Sequence, residues 1–166
     1  FNSMFDVDFF PQPEPQIQRT ASRVMSLRDG SSKMSKSDTS DATRINLTDS
    51  VDDIAQKIKR AKTDPEALPS EVEGLADRPE ARNLVGIFSG LSGRTESHIL
   101  AEFGGQGFGV FKPALAELVV DVISPISQKM NQLLAEPDEI DKLLASGAEQ
   151  AYAITGPVLE DVKKII

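Results

Sequence analysis

The chain has 166 residues, with 18 Lys and Arg against 26 Asp and Glu for a net charge of −8, and is 39% hydrophobic and 27% charged. That fits one ordinary domain or two small ones and is too apolar for a disordered chain. The lack of cysteine excludes disulfides, thiolate metal sites and cysteine nucleophiles; a single histidine, His98, argues against a His-rich metal site or a Ser-His-Asp triad; and no apolar run approaches the roughly 18 residues of a membrane span.

The chain opens at Phe1 with neither the basic segment nor the apolar run of a signal peptide, as expected of a piece of a longer protein. Residues 9–15 contain Pro11, Pro13 and Pro15, which predict an extended crossing. Residues 23–27 read as a short strand, followed by a turn at Asp29-Gly30 and a polar loop to Asp41; residues 43–47 alternate and read as a second strand. From there the pattern is helical. Asp49 and Ser50 can cap a helix to about Lys62, with Val51, Ile54, Ala55, Ile58 and Ala61 on one face. A polar connector over 64–78 leads to Pro79, which suits the first turn of a helix ending near Gly90 or Gly93. Thr95 can cap a short helix to Phe103, and a glycine-rich turn at 104–109 precedes a long apolar segment, 111–134. Pro113 falls in its first turn, Pro125 is expected to kink or interrupt it, and Pro137 opens a last helix expected to break near Gly147 and Gly156-Pro157.

Charge is distributed unevenly: residues 1–18 carry −3, residues 19–62 carry +4 and residues 63–166 carry −9. A cationic middle in an acidic chain points to a local anion site instead of a general nucleic-acid coat, although residues 57–62 read equally well as a solvated helix face.

The chemistry concentrates in Lys33-Met34-Ser35-Lys36-Ser37. Two ammonium groups three residues apart, two hydroxyls and the backbone amides, with Gly30 and serines permitting close approach, can wrap a polyphosphate. The spacing is not that of a P-loop. By composition alone a solvated surface loop is the plainer reading.

The string itself says more. Lys-Met-Ser-Lys-Ser is the second signature of the class I aminoacyl-tRNA synthetases. With Phe9-Phe10-Pro11-Gln12-Pro13-Glu14, Ala21-Ser22-Arg23-Val24-Met25-Ser26-Leu27, Ile58-Lys59-Arg60-Ala61-Lys62-Thr63-Asp64 and Arg82-Asn83-Leu84-Val85, the chain resembles the bacterial tryptophanyl-tRNA synthetases from about residue 1 to residue 166. The family's first signature, of the His-Ile-Gly-His type, is absent, so the resemblance implies the C-terminal half. The fold it implies is mainly α: the end of a Rossmann-type α/β catalytic domain with the signature loop (1–64), then a helical tRNA anticodon-binding domain (65–166). It also implies ATP with Mg²⁺ held mainly by phosphates, no protein metal site, tryptophan bound in the other half, tRNA(Trp) as partner, a homodimer at full length and a cytoplasmic location. Lys33 and Lys36 match the catalytic lysines of the signature; Val24, Met34, Ser35 and Ser37 complete the implied ATP contacts.

The remaining candidates are weaker. Arg78, Arg82 and Arg94 could touch tRNA phosphates, but seventeen acids share their region. The glycines at 104–109 lack the spacing of a dinucleotide fingerprint and read as an interhelical turn. His98 reads as a surface or structural residue, and Phe88, Phe103, Phe108 and Phe111 as core. The alternative function is a non-catalytic helical tRNA-binding or interaction module that retains the loop as a relic.

Overall fold

Ser50 begins the first long helix through a reciprocal cap. Its hydroxyl accepts from the Asp53 amide at 3.1 Å, while the Asp53 carboxylate accepts from Ser50. The computed structural model describes residues 1–16 and 23–166; Ala21 and Ser22, part of the family resemblance, lie outside the described residues. Among those described, the helices are α1 (Asn2–Phe5), α2 (Val51–Lys59), α3 (Pro79–Ser92), α4 (Glu96–Phe103), α5 (Phe108–Ala135) and α6 (Pro137–Ile165), with 3₁₀ turns at Asp41–Thr43 and Val72–Leu75. The chain is therefore mainly helical, as its sequence implies.

Packing divides it into two units: Phe1–Gln16 with Gln132–Ile166, and Ile17–Asn131. In the second, Ile54 and Ile58 of α2, Leu84, Val85 and Phe88 of α3, Ile99 and Leu100 of α4, and Phe111, Leu115 and Val119 of α5 form one core. The expected aromatic residues meet there: Phe111 stacks on Phe88 with centroids 5.7 Å apart and meets Phe103 edge-on at 5.3 Å. Pro79 occupies the first turn of α3, and Gly93 closes it at φ 69°, a conformation that costs glycine little. Thr95 caps α4 by accepting from the His98 amide, while the His98 side chain is exposed.

In the first unit, Asn2 exchanges two hydrogen bonds with the Phe10 backbone (2.7 and 3.0 Å), and Phe1, Phe5, Phe9 and Phe10 cluster around them. α6 has acids in its first turn and lysines in its last, as the macrodipole favours, and no fully buried residue.

Three local expectations are corrected. The strands expected at 23–27 and 43–47 do not form; a single antiparallel bridge joins Met25 and Lys33. The backbone groups of 24–27 are instead satisfied singly by separate segments. Leu27 donates to the Thr43 carbonyl (2.9 Å) and accepts from the Lys62 amide (2.7 Å). That last bond also ends α2 at Lys59, short of Lys62. Finally, α5 continues through Pro125 and α6 through Gly147 and Pro157. Proline removes one helical hydrogen bond but its φ is helical, and a glycine costs about 1 kcal/mol, so long helices can absorb them.

Candidate functional site

Residues 24–26 form a ledge from which the 29–37 loop departs and to which it returns. The Ser26 amide donates to the Ser32 carbonyl (2.8 Å) and the Met34 amide to the Val24 carbonyl (3.0 Å). The intervening turn is tied by Asp29, whose carboxylate accepts from the Ser31 amide (3.0 Å) and from the Ser31 and Ser32 hydroxyls (both 2.6 Å). The Ser31 and Ser32 hydrogen bonds hold the Asp29 carboxyl down at about 2. Gly30 is buried against the start of α3: a Cβ there would lie 2.5 Å from backbone atoms of Pro79 and Glu80.

Beyond the turn, the five signature residues divide by chemistry. Met34 is half-buried and packs on the core. With Val24, Ile45, Leu47, Ile58 and Ile87 it lines an apolar pocket of about 250 Å³. Lys33, Ser35, Lys36 and Ser37 are all exposed. The two hydroxyls lie 3.0 Å apart, and the Ser37 amide points at Ser35 Oγ at 3.4 Å. No acid pairs with Lys33 or Lys36 among the described residues. Two uncompensated ammoniums beside two hydroxyls can receive a polyanion without first breaking an ion pair.

The far end of the loop is fixed by a polar network. Arg44 donates to the carbonyls of Asp38 (3.0 Å) and Ser40 (3.3 Å) and pairs with Asp41 at 3.1 Å. Lys57 of α2 reaches Asp41 and Asp49, both at 2.6 Å, and Asn46 bonds both carboxylates. Burial works against the Lys57 charge, but the hydrogen bonds that it donates to Asp41 and Asp49 outweigh this and raise its pKa. Reading the sequence did not single out Arg44, Asn46 or Lys57; the Asp41, Asn46, Asp49 spacing ahead of a capped helix was the available signal.

Val24 also borders a second cleft, of about 370 Å³, with Arg23, Gly30, Arg82, Asn83 and Glu96 among its walls. Of the three arginines considered for phosphate contact, Arg82 is exposed and lines this cleft. Arg78 is engaged by Asp64, at 3.0 Å through Nε, and by the Ala67 and Glu66 carbonyls. Arg94 pairs with Glu102 at 2.5 Å and lies over the Phe88 ring. Among the described residues no acidic or His cluster could hold a metal ion.

A family model described as tRNA synthetases class I (W and Y) matches residues 1–124. A tryptophan–tRNA ligase from Caulobacter vibrioides is 56% identical over 167 aligned positions, covering 100% of this chain and 48% of its own length. The chain thus spans about half the length of the curated relatives it matches. Among solved structures, a tryptophanyl-tRNA synthetase from Mycoplasma pneumoniae superposes with a TM-score of 0.82 at 22% identity, over 99% of this chain and 49% of that one. One from Campylobacter jejuni, complexed with ADP and tryptophan, superposes with a TM-score of 0.63 at 24% identity, over 98% of this chain and 49% of that one.

Proposed function

The chain belongs to the class I tRNA synthetases (W and Y), and on that premise we propose that it is the C-terminal half of a tryptophan–tRNA ligase. Residues 1–64 would end the catalytic domain and supply the ATP-closing loop; residues 65–166 would form the helical, tRNA-facing part. This division by role differs from the division by packing. The observation that carries the reading is the Caulobacter relative's identity of 56% over an alignment that covers the whole chain.

In the proposed reaction the tryptophan carboxylate attacks the α-phosphorus of ATP, forming tryptophanyl-adenylate as the bond to pyrophosphate breaks. Lys33 and Lys36 offset the charge that develops on the departing pyrophosphate. Their exposed, unpaired state suits that role. Ser35 and Ser37 donate to phosphate oxygens; Met34 seats the loop on the core, and Val24 borders the adenine. Mg²⁺ would accompany the nucleotide, held mainly by its phosphate oxygens and by water, and would offset phosphate charge. A hydroxyl of tRNA(Trp) then attacks the tryptophanyl carbonyl of the adenylate, forming an ester as the bond to phosphate breaks and AMP leaves. Of the arginines, Arg82 is the one best placed to meet a phosphate, since Arg78 and Arg94 are held by acids of this chain. A homodimer and a cytoplasmic location complete the proposal.

The complete ligase carrying this chain tests it. Pyrophosphate should exchange into ATP in the presence of tryptophan and not of tyrosine. Tyrosine-dependent exchange, or none with either amino acid, would sink the assignment.

A further inference from the structure

Asn83 is the one amide on the buried face of α3, with Ala81, Leu84, Val85 and Phe88 as buried neighbours on the same helix, and is itself 8% exposed. An amide in that position needs partners. It finds them across 58 residues of sequence: Oδ1 accepts from the Met25 amide at 2.9 Å, and Nδ2 donates to the Met25 carbonyl at 2.9 Å. The side chain thus satisfies both polar groups of one residue, as an adjoining β-strand would. Met25 in turn forms the antiparallel bridge to Lys33.

We propose that Asn83 is a positioning residue for the signature loop, its amide standing in for the missing strand and fixing, through Met25, the backbone of Lys33. The inference rests on the reading of the loop given above and deepens it. The path is short and continuous: α3, the Asn83 amide, the Met25 backbone, the bridge, Lys33. Its surroundings support a clamp in this place. Val24 and Ser26, on either side of Met25, receive the returning strand of the loop through Met34 and Ser32. Three residues earlier on α3, Glu80 abuts Gly30 and holds Lys62 at 2.8 Å. One turn of α3 therefore meets the loop base at two points. The far end of the loop depends on Arg44 and Lys57 and makes no contact with Asn83 among the described bonds. Loss of Asn83 should let the near end shift while the far end stays, tilting the two lysines relative to bound phosphate. Misplacement on the scale of an ångström is enough to slow a reaction markedly.

Two variants and two readouts test this. Asn83→Leu removes both hydrogen bonds at similar volume; Asn83→Asp keeps the acceptor for the Met25 amide and loses the donor. In the complete ligase, pyrophosphate exchange should show kcat/KM for ATP lowered roughly ten-fold or more by Asn83→Leu and by an intermediate factor by Asn83→Asp. KM for tryptophan should stay within about two-fold. Unchanged ATP parameters would overturn the proposal. So would a fall in kcat alone that tracks the folded fraction, with both KM values intact, since that is what a purely structural residue produces. In the complete ligase, amide exchange at Met25 and Met34 should accelerate in Asn83→Leu, which removes the acceptor of the Met25 amide, while the α5 amides keep their protection. Unaltered exchange at Met25 defeats the clamp whatever the activity. Absence of tryptophan-dependent exchange in the unmodified ligase would instead defeat the functional reading and leave amide exchange to judge the clamp.

Discussion

A methyl group on Gly30 has no room, because the backbone of Pro79 and Glu80 lies 2.5 Å from where it would sit. Those are helix atoms and cannot step aside as a flexible side chain would. Gly30→Ala should therefore lift the 29–32 turn off α3 and cost roughly 1–3 kcal/mol, read as a lowered thermal midpoint; a midpoint unchanged would mean the turn is not seated there. Asp29 gives a second test. Its folded pKa is depressed to about 2 by the Ser31 and Ser32 hydrogen bonds. A depressed acid contributes stability that is present above its unfolded pKa and fades as pH falls through the folded value, here between about 4 and about 2. The Asp29 carboxyl carbon followed by NMR should titrate near 2, and a midpoint near 4 would show that the serines do not hold it. At this scale the sequence was partly legible. Asp-Gly followed by two serines announced the turn, but which carboxylate oxygen each serine would meet, and that α3 would lie beneath Gly30, depends on contacts about fifty residues apart.

Among the elements, α2 was legible because every cue agreed: a capping serine, acids in the first turn, lysines in the last and an apolar face. Removing the cap by Ser50→Ala should cost about 1 kcal/mol in denaturant unfolding; no loss would contradict the reciprocal bond with Asp53. The interior of α2 carries more. Lys57 sits between Asp41 and Asp49, its side chain 12% exposed. Lys57→Met leaves the two carboxylates facing each other and should cost about 2 kcal/mol, below the figure for a fully buried pair because Asp41 is largely exposed. Asp41, lowered by its hydrogen bonds to Lys57 and Asn46, contributes above the unfolded acid pKa and loses that contribution in acid. The raised Lys57 contributes below its unfolded value and loses that contribution as pH rises beyond about 10.5. The gap in stability between the two proteins should accordingly narrow below about pH 4; a constant gap would assign the loss to packing alone. The strands were misread because the burial-suited residues of 23–27 and the alternation of 43–47 describe segments that could pair, and among the described residues no neighbouring strand is present to pair with. The interruption expected at Pro125, as the alternative to a kink, and the break expected near Pro157 do not occur, since the flanking helical residues outweigh one lost hydrogen bond.

For the whole molecule, the decisive fact is that the chain covers 48% of the Caulobacter ligase it matches. Activation needs the signature loop, the nucleotide-binding signature and the tryptophan pocket held together within about an ångström. Only the loop is recognisable in these 166 residues, so the chain by itself should show no tryptophan-dependent pyrophosphate exchange. The local motif was readable because five consecutive residues carry it. The supports of the loop, Asn83, Arg44 and Lys57, were not, because each acts through a backbone or a charge brought near only by folding. Lys36 decides whether the loop takes part in the chemistry. In the complete ligase, Lys36→Ala should lower the rate of tryptophan-dependent pyrophosphate exchange by roughly 10²–10³, the effect of losing one donor to transition-state charge. Tryptophan affinity should be nearly unchanged. An exchange rate equal to that of the unmodified enzyme would remove the loop from the chemistry.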